Sequence, residues 1–312
     1  MKKIIAILLA ALLCLSMTAF AESYNIGICQ LVQHAALDAA TQGFKDALSA
    51  KLGDQVSFNE QNASGDSATC ITIVNGFIAE NVDLIMANAT PALQAAVAAT
   101  GDIPILGTSV TEYGTALDID DFAGVTGFNV SGTSDLAPLD GQAAMIKELF
   151  PDAKEIGLIS CSAEANSAYQ VKEMIKYLTE LGFNCTSYVF NDSNDVASVA
   201  ENAAAASDVI YIPTDNTAAS CTEAIRNVLE PAGIPAVVGE EGICAGCGVA
   251  TLSIDYYDLG IATGEMAYEI LVNGANVAEM EIRYAPVFTK KYNAELAEIM
   301  GVTIPADYVA IG

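Results

Sequence analysis

Three stretches of this 312-residue chain occur twice, in the same order and at nearly the same distance. NIGICQLVQHAALDAATQGFKDAL, from Asn25, is matched by EIGLISCSAEANSAYQVKEMIKYL, from Glu155. DLIMANATPALQA at 83 is matched by DVIYIPTDNTAAS at 208, and IPILGTS at 103 by IPAVVGEE at 234. The offsets are 130, 125 and 131 residues. Repetition at so steady an interval means two copies of one structural unit. Within the first copy, apolar runs predict strands over 24–29, 56–59, 84–87 and 103–106. Apolar residues at helical spacing predict helices over 37–52, 68–80 and 90–100. Strand, helix, strand in alternation implies a parallel sheet with helices on its faces. The fold class is therefore α/β, with two Rossmann-like lobes.

The joins between the copies suggest how the lobes connect. GVTGFNVSGT, 124–133, is Gly-rich and β-branched and reads as a first crossing. VATLSIDYYDLGIATGEMAYEILVNG, from Val249, gives a strand and then a helix beyond the second repeat. RYAPVFTKKYN, from Arg283, gives one more strand. A return near residue 253 and a last crossing near 283 make a three-strand hinge. The first lobe is then 22–128 plus 253–282, and the second is 129–252 plus 283–312. Such a hinge permits closure about a cleft.

Residues 1–21 carry Lys2, Lys3, an apolar run from Ile4 to Leu15 and an Ala19-Phe20-Ala21 cleavage site, the pattern of a signal peptide. The run is shorter than the ~20 residues of a membrane span. The chain is expected to be exported, periplasmic or associated with the cell surface, and to start near Glu22. Ala-Leu-Leu before Cys14 matches a lipoprotein box poorly, so lipid anchoring is the lesser reading. After the leader, ten basic residues face 39 acidic ones. That field repels nucleic acid and anionic membranes. Seven cysteines remain, an odd number; Cys244 and Cys247 read as a local disulfide or two buried thiols. With one histidine and no second CxxC, no zinc site is expected.

In parallel sheets, ligands gather beyond the C-terminal ends of the strands. The polar clusters of this chain fall there: 30–38, 88–91, 107–111, 160–166, 214–217, 239–241 and 253–257. Thr90 precedes Pro91, which suits a first helical turn. Ser162 and Thr217 also stand before helices, where a hydroxyl caps the helix or helps seat a carboxylate. Asp215, Asp255 or Glu164 could balance an ammonium group, and Asp215 could equally cap its own helix. A zwitterion needs both kinds of partner. His34 is the sole histidine, with Asp38 one turn on, but no GxSxG elbow appears. GxGxxG and P-loop motifs are absent too, so no cofactor and no enzymatic constellation is expected.

The stretches IGICQLVQHAALDAATQGFKDAL, QNASGDSATC, NVDLIMANATPALQAA, DIPILGTSVTE, SAEANSAYQ, VIYIPTDNTAAS and LSIDYYDLG span nearly the whole mature chain. Together they resemble the substrate-binding proteins of bacterial ABC importers, in the group that includes tryptophan- and tyrosine-binding members. The resemblance implies a type I periplasmic-binding fold with ligand at the hinge and an ABC permease as membrane partner. It implies a monomeric, non-enzymatic receptor for a small zwitterion, an aromatic or other apolar amino acid. First-lobe contacts would come from Gln33, His34, Thr90 and Ser109. Second-lobe contacts would come from Ser162, Glu164, Asn166, Thr214, Asp215 and Asn216, and the return strand would add Asp255. Thr90 and Ser109 would hold the carboxylate, and Asp215, with Asp255, the ammonium. Tyr256 or Phe128 is available to the ligand side chain. The chain departs from its relatives at Gln33-His34-Ala35, where Glu-His-Pro is common, and at Glu112-Tyr113, where Asp-Pro is common. Receptors for a sugar or nucleoside, or a sensing module for a membrane signalling protein, are the alternatives.

Overall fold

The computed structural model describes residues 23–311, so the expected leader and Cys14 lie outside the described residues. In β1 (Tyr24–Gln30) the last five residues are all buried. Burial of consecutive residues marks a strand covered on both faces. β3 (Leu84–Asn88) and β4 (Ile105–Val110) are buried throughout. Around them run α1 (Ala35–Leu52), β2 (Val56–Asn62), α2 (Ser67–Glu80), α3 (Thr90–Ala99) and a short α4 (Tyr113–Leu117). β5 (Val130–Ser134) follows. The second unit runs α5 (Leu139–Leu149), β6 (Glu155–Cys161), α6 (Ala165–Glu180), β7 (Asn184–Phe190), α7 (Val196–Ala204) and β8 (Val209–Ile212). It continues with α8 (Asn216–Ser220), α9 (Thr222–Ala232), β9 (Ala236–Val238), α10 (Glu241–Cys247) and β10 (Ala250–Ser253). The C-terminal part adds α11 (Tyr256–Leu271), β11 (Arg283–Tyr284), β12 (Thr289–Tyr292), α12 (Ala294–Ile299) and β13 (Val309–Ala310).

The two sheets have the orders β11-β5-β4-β3-β1-β2 and β13-β12-β10-β9-β8-β6-β7. Without the edge strands from the C-terminal part, each reads as the fifth, fourth, third, first and second strand of its own unit. The sequence repeat is thus a structural one. The second sheet is mixed, because β12 pairs with β10 antiparallel. Each sheet is covered on both faces. In the first, Val74, Phe77, Ile85 and Leu93 pack on one side, and Ile26, Phe44, Leu48 and Met266 on the other. The second has the same two layers.

Sheet membership puts the crossings later than the sequence suggests. VSGTS of β5 pairs with β4, so the chain first leaves at 135–138 and not near 128. It returns at 254–255. RYAPVFTKKYN is two strands, not one: Arg283–Tyr284 pairs with β5 in the first sheet, and Thr289–Tyr292 joins the second. The last crossing is therefore 285–288.

The returning helix α11 seats directly on α1. A Cβ on Gly260 would lie 2.0 Å from the Ala40 carbonyl oxygen, and one on Gly43 would lie 2.1 Å from that of Tyr257. Only glycine permits this approach. Hydroxyls tie the same helix to the sheet: Thr263 Oγ1 and Thr133 Oγ1 are 2.8 Å apart, and Thr133 and Thr108 3.2 Å. All seven cysteines among the described residues are unpaired. Cys244 and Cys247 are buried thiols in α10, which is the second of the two readings open to the sequence. Among the described residues no helix is long and apolar enough to cross a membrane.

Candidate functional site

Helix starts at the strand ends build the site, and they differ in how their free N–H groups are met. Asp66, Glu112, Asp215, Glu240, Asp255 and Asn293 each cap a helix with a side-chain oxygen. α1, α3 and α6 begin without a side-chain cap. In α3 the N-cap is Ala89, and Pro91 in the first turn has no N–H. That leaves the N–H groups of Thr90 and Ala92 without a partner inside the helix. Ala89 is held at φ 89°, ψ 156°, a region essentially reserved for glycine. Ser109 is another strained residue, at φ 53°, within the irregular register of β4 and β5 between Gly107 and Val110. A bulge of this kind re-aims a side chain. Ala89→Gly relieves the strain at the cost of one buried methyl in the core, and the relief should outweigh that loss, raising stability by up to about 1 kcal/mol in urea unfolding. A loss of stability would mean that the backbone there is relaxed.

The lobes meet through a small set of polar contacts. His34 Nε2 and Asn216 Oδ1 are 3.2 Å apart, and the hydroxyls of Thr111 and Thr214 3.4 Å. Gln170 Nε2 of the second lobe joins the same pair, donating to Thr214 Oγ1 at 2.6 Å within its lobe and to Thr111 Oγ1 at 3.4 Å across the cleft. Between the lobes lies a small cavity lined by His34, Leu37, Asp135, Thr214, Asp215, Asn216, Ala219, Glu240 and Tyr256. It measures about 10 Å³, room for roughly one water. Polar atoms around the cleft are buried without partners: His34 Nδ1, Thr90 Oγ1, Ser109 Oγ, Asp135 Oδ1 and Asn166 Oδ1. Each such atom costs about 1–3 kcal/mol unless something else satisfies it.

The electrostatics are one-sided. Three carboxylates line the cavity, with no Lys or Arg among its walls. Burial pushes Asp135 up to about 6, against the hydroxyls of Tyr256 and Thr111 that hold it down. Burial, with the charge of Glu164, pushes Asp215 up to about 8. Burial likewise takes Glu240 to about 7. Burial also lowers His34, against its Asn216 partner and the charges of Glu164 and Asp38. The imidazole is thus neutral at pH 7. A cleft with this lining repels anions and favours a cation.

The residues singled out in the sequence fall into three groups. His34, Thr214, Asp215 and Asn216 line the cavity. Thr90, Ser109, Glu164 and Asn166 are buried. Glu164 accepts from the Asn216 and Thr217 N–H groups at 3.0 and 2.8 Å, and from the Asn216 amide at 2.6 Å. Asp215 accepts from Cys161 N at 2.6 Å and Ala218 N at 2.8 Å, so it does cap its helix. Gln33, Ser162 and Asp255 are exposed. Ser162 donates to Asn191 Oδ1 at 3.3 Å, and Asp255 caps α11 through Asp258 N. His34 meets an amide and no nucleophile, while Asp38 accepts from Gln30 Nε2 at 2.7 Å. Thr111 and Glu240 lay within the strand-end clusters but were not singled out, and Asp135 lay outside all of them. Asp135 directly follows a strand, and the strand-end rule would have found it had β5 been recognised as one.

Residues 25–310 match the family described as ABC transporter substrate binding protein. A tyrosine-binding protein of Clostridioides difficile (strain R20291) is 37% identical over 264 residues, covering 83% of this chain and 75% of its own. A Streptococcus pneumonia ABC domain solved in complex with L-Trp superposes with a TM-score of 0.87 at 31% identity, covering 91% of this chain and 97% of that one. A ligand-free, open substrate-binding protein with adhesive properties from Clostridium difficile is 34% identical over 92% of this chain and 99% of its own, yet its TM-score is 0.70. In this chain the lobes are in contact through the polar bridges across the cleft. Duplicated lobes, a triple-crossing hinge and a polar interlobe cleft accord with these relatives, and the chain belongs to the ABC transporter substrate binding protein family.

Proposed function

We propose that the protein is the exported receptor of an ABC importer and that its ligand is an aromatic amino acid, held between the lobes. The observation that carries this reading is the set of buried, unpartnered polar atoms on both sides of the cleft. Thr90 Oγ1, the free first-turn N–H groups of α3 and Ser109 Oγ suit a carboxylate. The acid-lined cavity, with His34, Thr214, Asp215 and Asn216 on its walls, suits an ammonium. An aromatic side chain is favoured by the two relatives above, one named for tyrosine and one solved with L-Trp. The ligand enters when the lobes part about the hinge, since the cavity is small. The receptor works as an exported monomer that delivers to a membrane permease, free in the periplasm or at the cell surface. Gln33, Ser162 and Asp255, exposed around the cleft, would then act at its rim.

Ligand class is tested by thermal shift of the mature chain against amino acids, sugars and nucleosides. A ligand at 100 times its Kd adds about 2.7 kcal/mol to apparent stability, a shift of several degrees. Tyrosine or tryptophan should give the largest shift. A shift with sugars or nucleosides alone would replace this reading with the sugar or nucleoside alternative.

A further inference from the structure

We propose that the ligand's cationic group binds between Asp135 Oδ1 and His34 Nδ1, so that the hinge itself carries the residue that reads the ligand's charge. The proposal rests on the amino-acid reading above and names the contact within it. Both residues line the same interlobe cavity, and both atoms are buried without a partner.

Asp135 opens the first crossing, residues 135–138, and is 5% exposed. Tyr256 OH donates to its Oδ2 at 3.0 Å, and its own N–H donates to Val110 O at 3.3 Å. Oδ2 is therefore fixed, and Oδ1, with the Thr111 hydroxyl in its surroundings, has no hydrogen-bond partner. Tyr256 begins the helix that follows the second crossing, so this bond ties two of the three crossings together.

The His34 atom is identified by its neighbours. The Asn216 amide nitrogen is taken by Glu164 Oε2 at 2.6 Å, which turns Asn216 Oδ1 toward His34 Nε2. An acceptor there requires the proton on Nε2. The other ring nitrogen of the neutral imidazole is then a bare lone pair. The cavity thus presents two unpartnered acceptors, Asp135 Oδ1 and His34 Nδ1. An ammonium group supplies three N–H donors and a positive charge.

The other acids are occupied differently. Asp215 spends one oxygen on Cys161 N and the other on Ala218 N. Glu240 spends its two on Gly242 N and Ile243 N. Asp255 is exposed and lies outside this cavity. Asp215 and Glu240 are therefore committed to backbone N–H groups, and Asp135 contributes the contact. Coupling to closure follows from placement. A cation held by Asp135 and His34 orders the imidazole whose far nitrogen bonds Asn216 across the cleft.

The test uses matched probes on the mature chain: L-tryptophan, tryptamine (no carboxylate) and indole-3-propionate (no ammonium), with the corresponding tyrosine series alongside. The chain has no Trp, so indole fluorescence reports the first series against a dark background. Asp135→Asn should weaken both ammonium-bearing probes roughly 100-fold and indole-3-propionate less than about threefold. His34→Ala, at a half-buried loop position, should weaken the same two probes about tenfold, and it serves if Asp135→Asn fails to fold. Equal losses for all three probes would overturn the proposal, as would unchanged affinities. Wild-type binding of tryptamine but not of any amino acid, still dependent on Asp135, would remove the zwitterion reading and keep this one. Failure of the wild type to bind any ammonium-bearing probe in either series would remove both.

Discussion

Gly260→Val is expected to destabilise the protein by about 3 kcal/mol or more, close to the limit for one substitution. The clash is with backbone: a Cβ would stand 2.0 Å from the Ala40 carbonyl oxygen. A flexible side chain could turn away, but a helix backbone must move as a whole. Moving α11 would pull Met266 and Ala267 out of the layer they share with Ile26, Phe44 and Leu48. It would also separate Thr263 from Thr133. Gly76→Ala is the control. Gly76 lies in α2 with nothing within 4 Å of the added atom, so alanine should stabilise by up to about 1 kcal/mol. Urea unfolding of both variants decides the matter; a Gly260→Val protein as stable as wild type would show that the helices are not in contact.

Raising the pH from 5 to 8 should weaken the ligand-free protein by a few kcal/mol, the opposite of the usual carboxylate effect. The reason is the buried acids at the cleft. Asp135, Glu240 and Asp215 are raised to about 6, 7 and 8. An acid whose folded pKa is raised binds more protons folded than unfolded between the two values. Its contribution is present below the unfolded pKa near 4 and is lost as pH rises through the folded value. Exposed carboxylates held low by hydrogen bonds, such as Asp66 and Asp195, act only at more acidic pH. Urea unfolding at pH 5, 6, 7 and 8 should show the decline. Asp215→Asn should flatten it over the upper half of that range, even though it costs stability overall by breaking a cap. A level profile in the wild type would mean that water reaches these carboxylates.

Much of the fold was legible because the chain states it twice. Buried strands such as LIMAN and VIYI are short apolar runs, and the helices carry clear spacing. Legibility failed at the hinge. Val130–Ser134 is a strand hidden by its small residues, and Arg283–Tyr284 is too short for any periodicity to register. Both faults displaced the crossings, and the first hid Asp135. The helix starts at Thr90 and Asp215 were visible, but which carboxylate oxygen is already taken by a backbone N–H is a property of folded geometry alone.

The return of the chain to its first lobe has a consequence for biosynthesis. Five of the six strands of that lobe's sheet lie before residue 135, yet the layer that α1 shares with α11 stays incomplete until α11 has been made. The second sheet likewise lacks its edge partners until residues 289–292 and 309–310 emerge. A chain that emerges N-terminus first therefore releases most of its length before either half has a complete core to close upon. The interleaved topology delays collapse until the polypeptide is nearly whole.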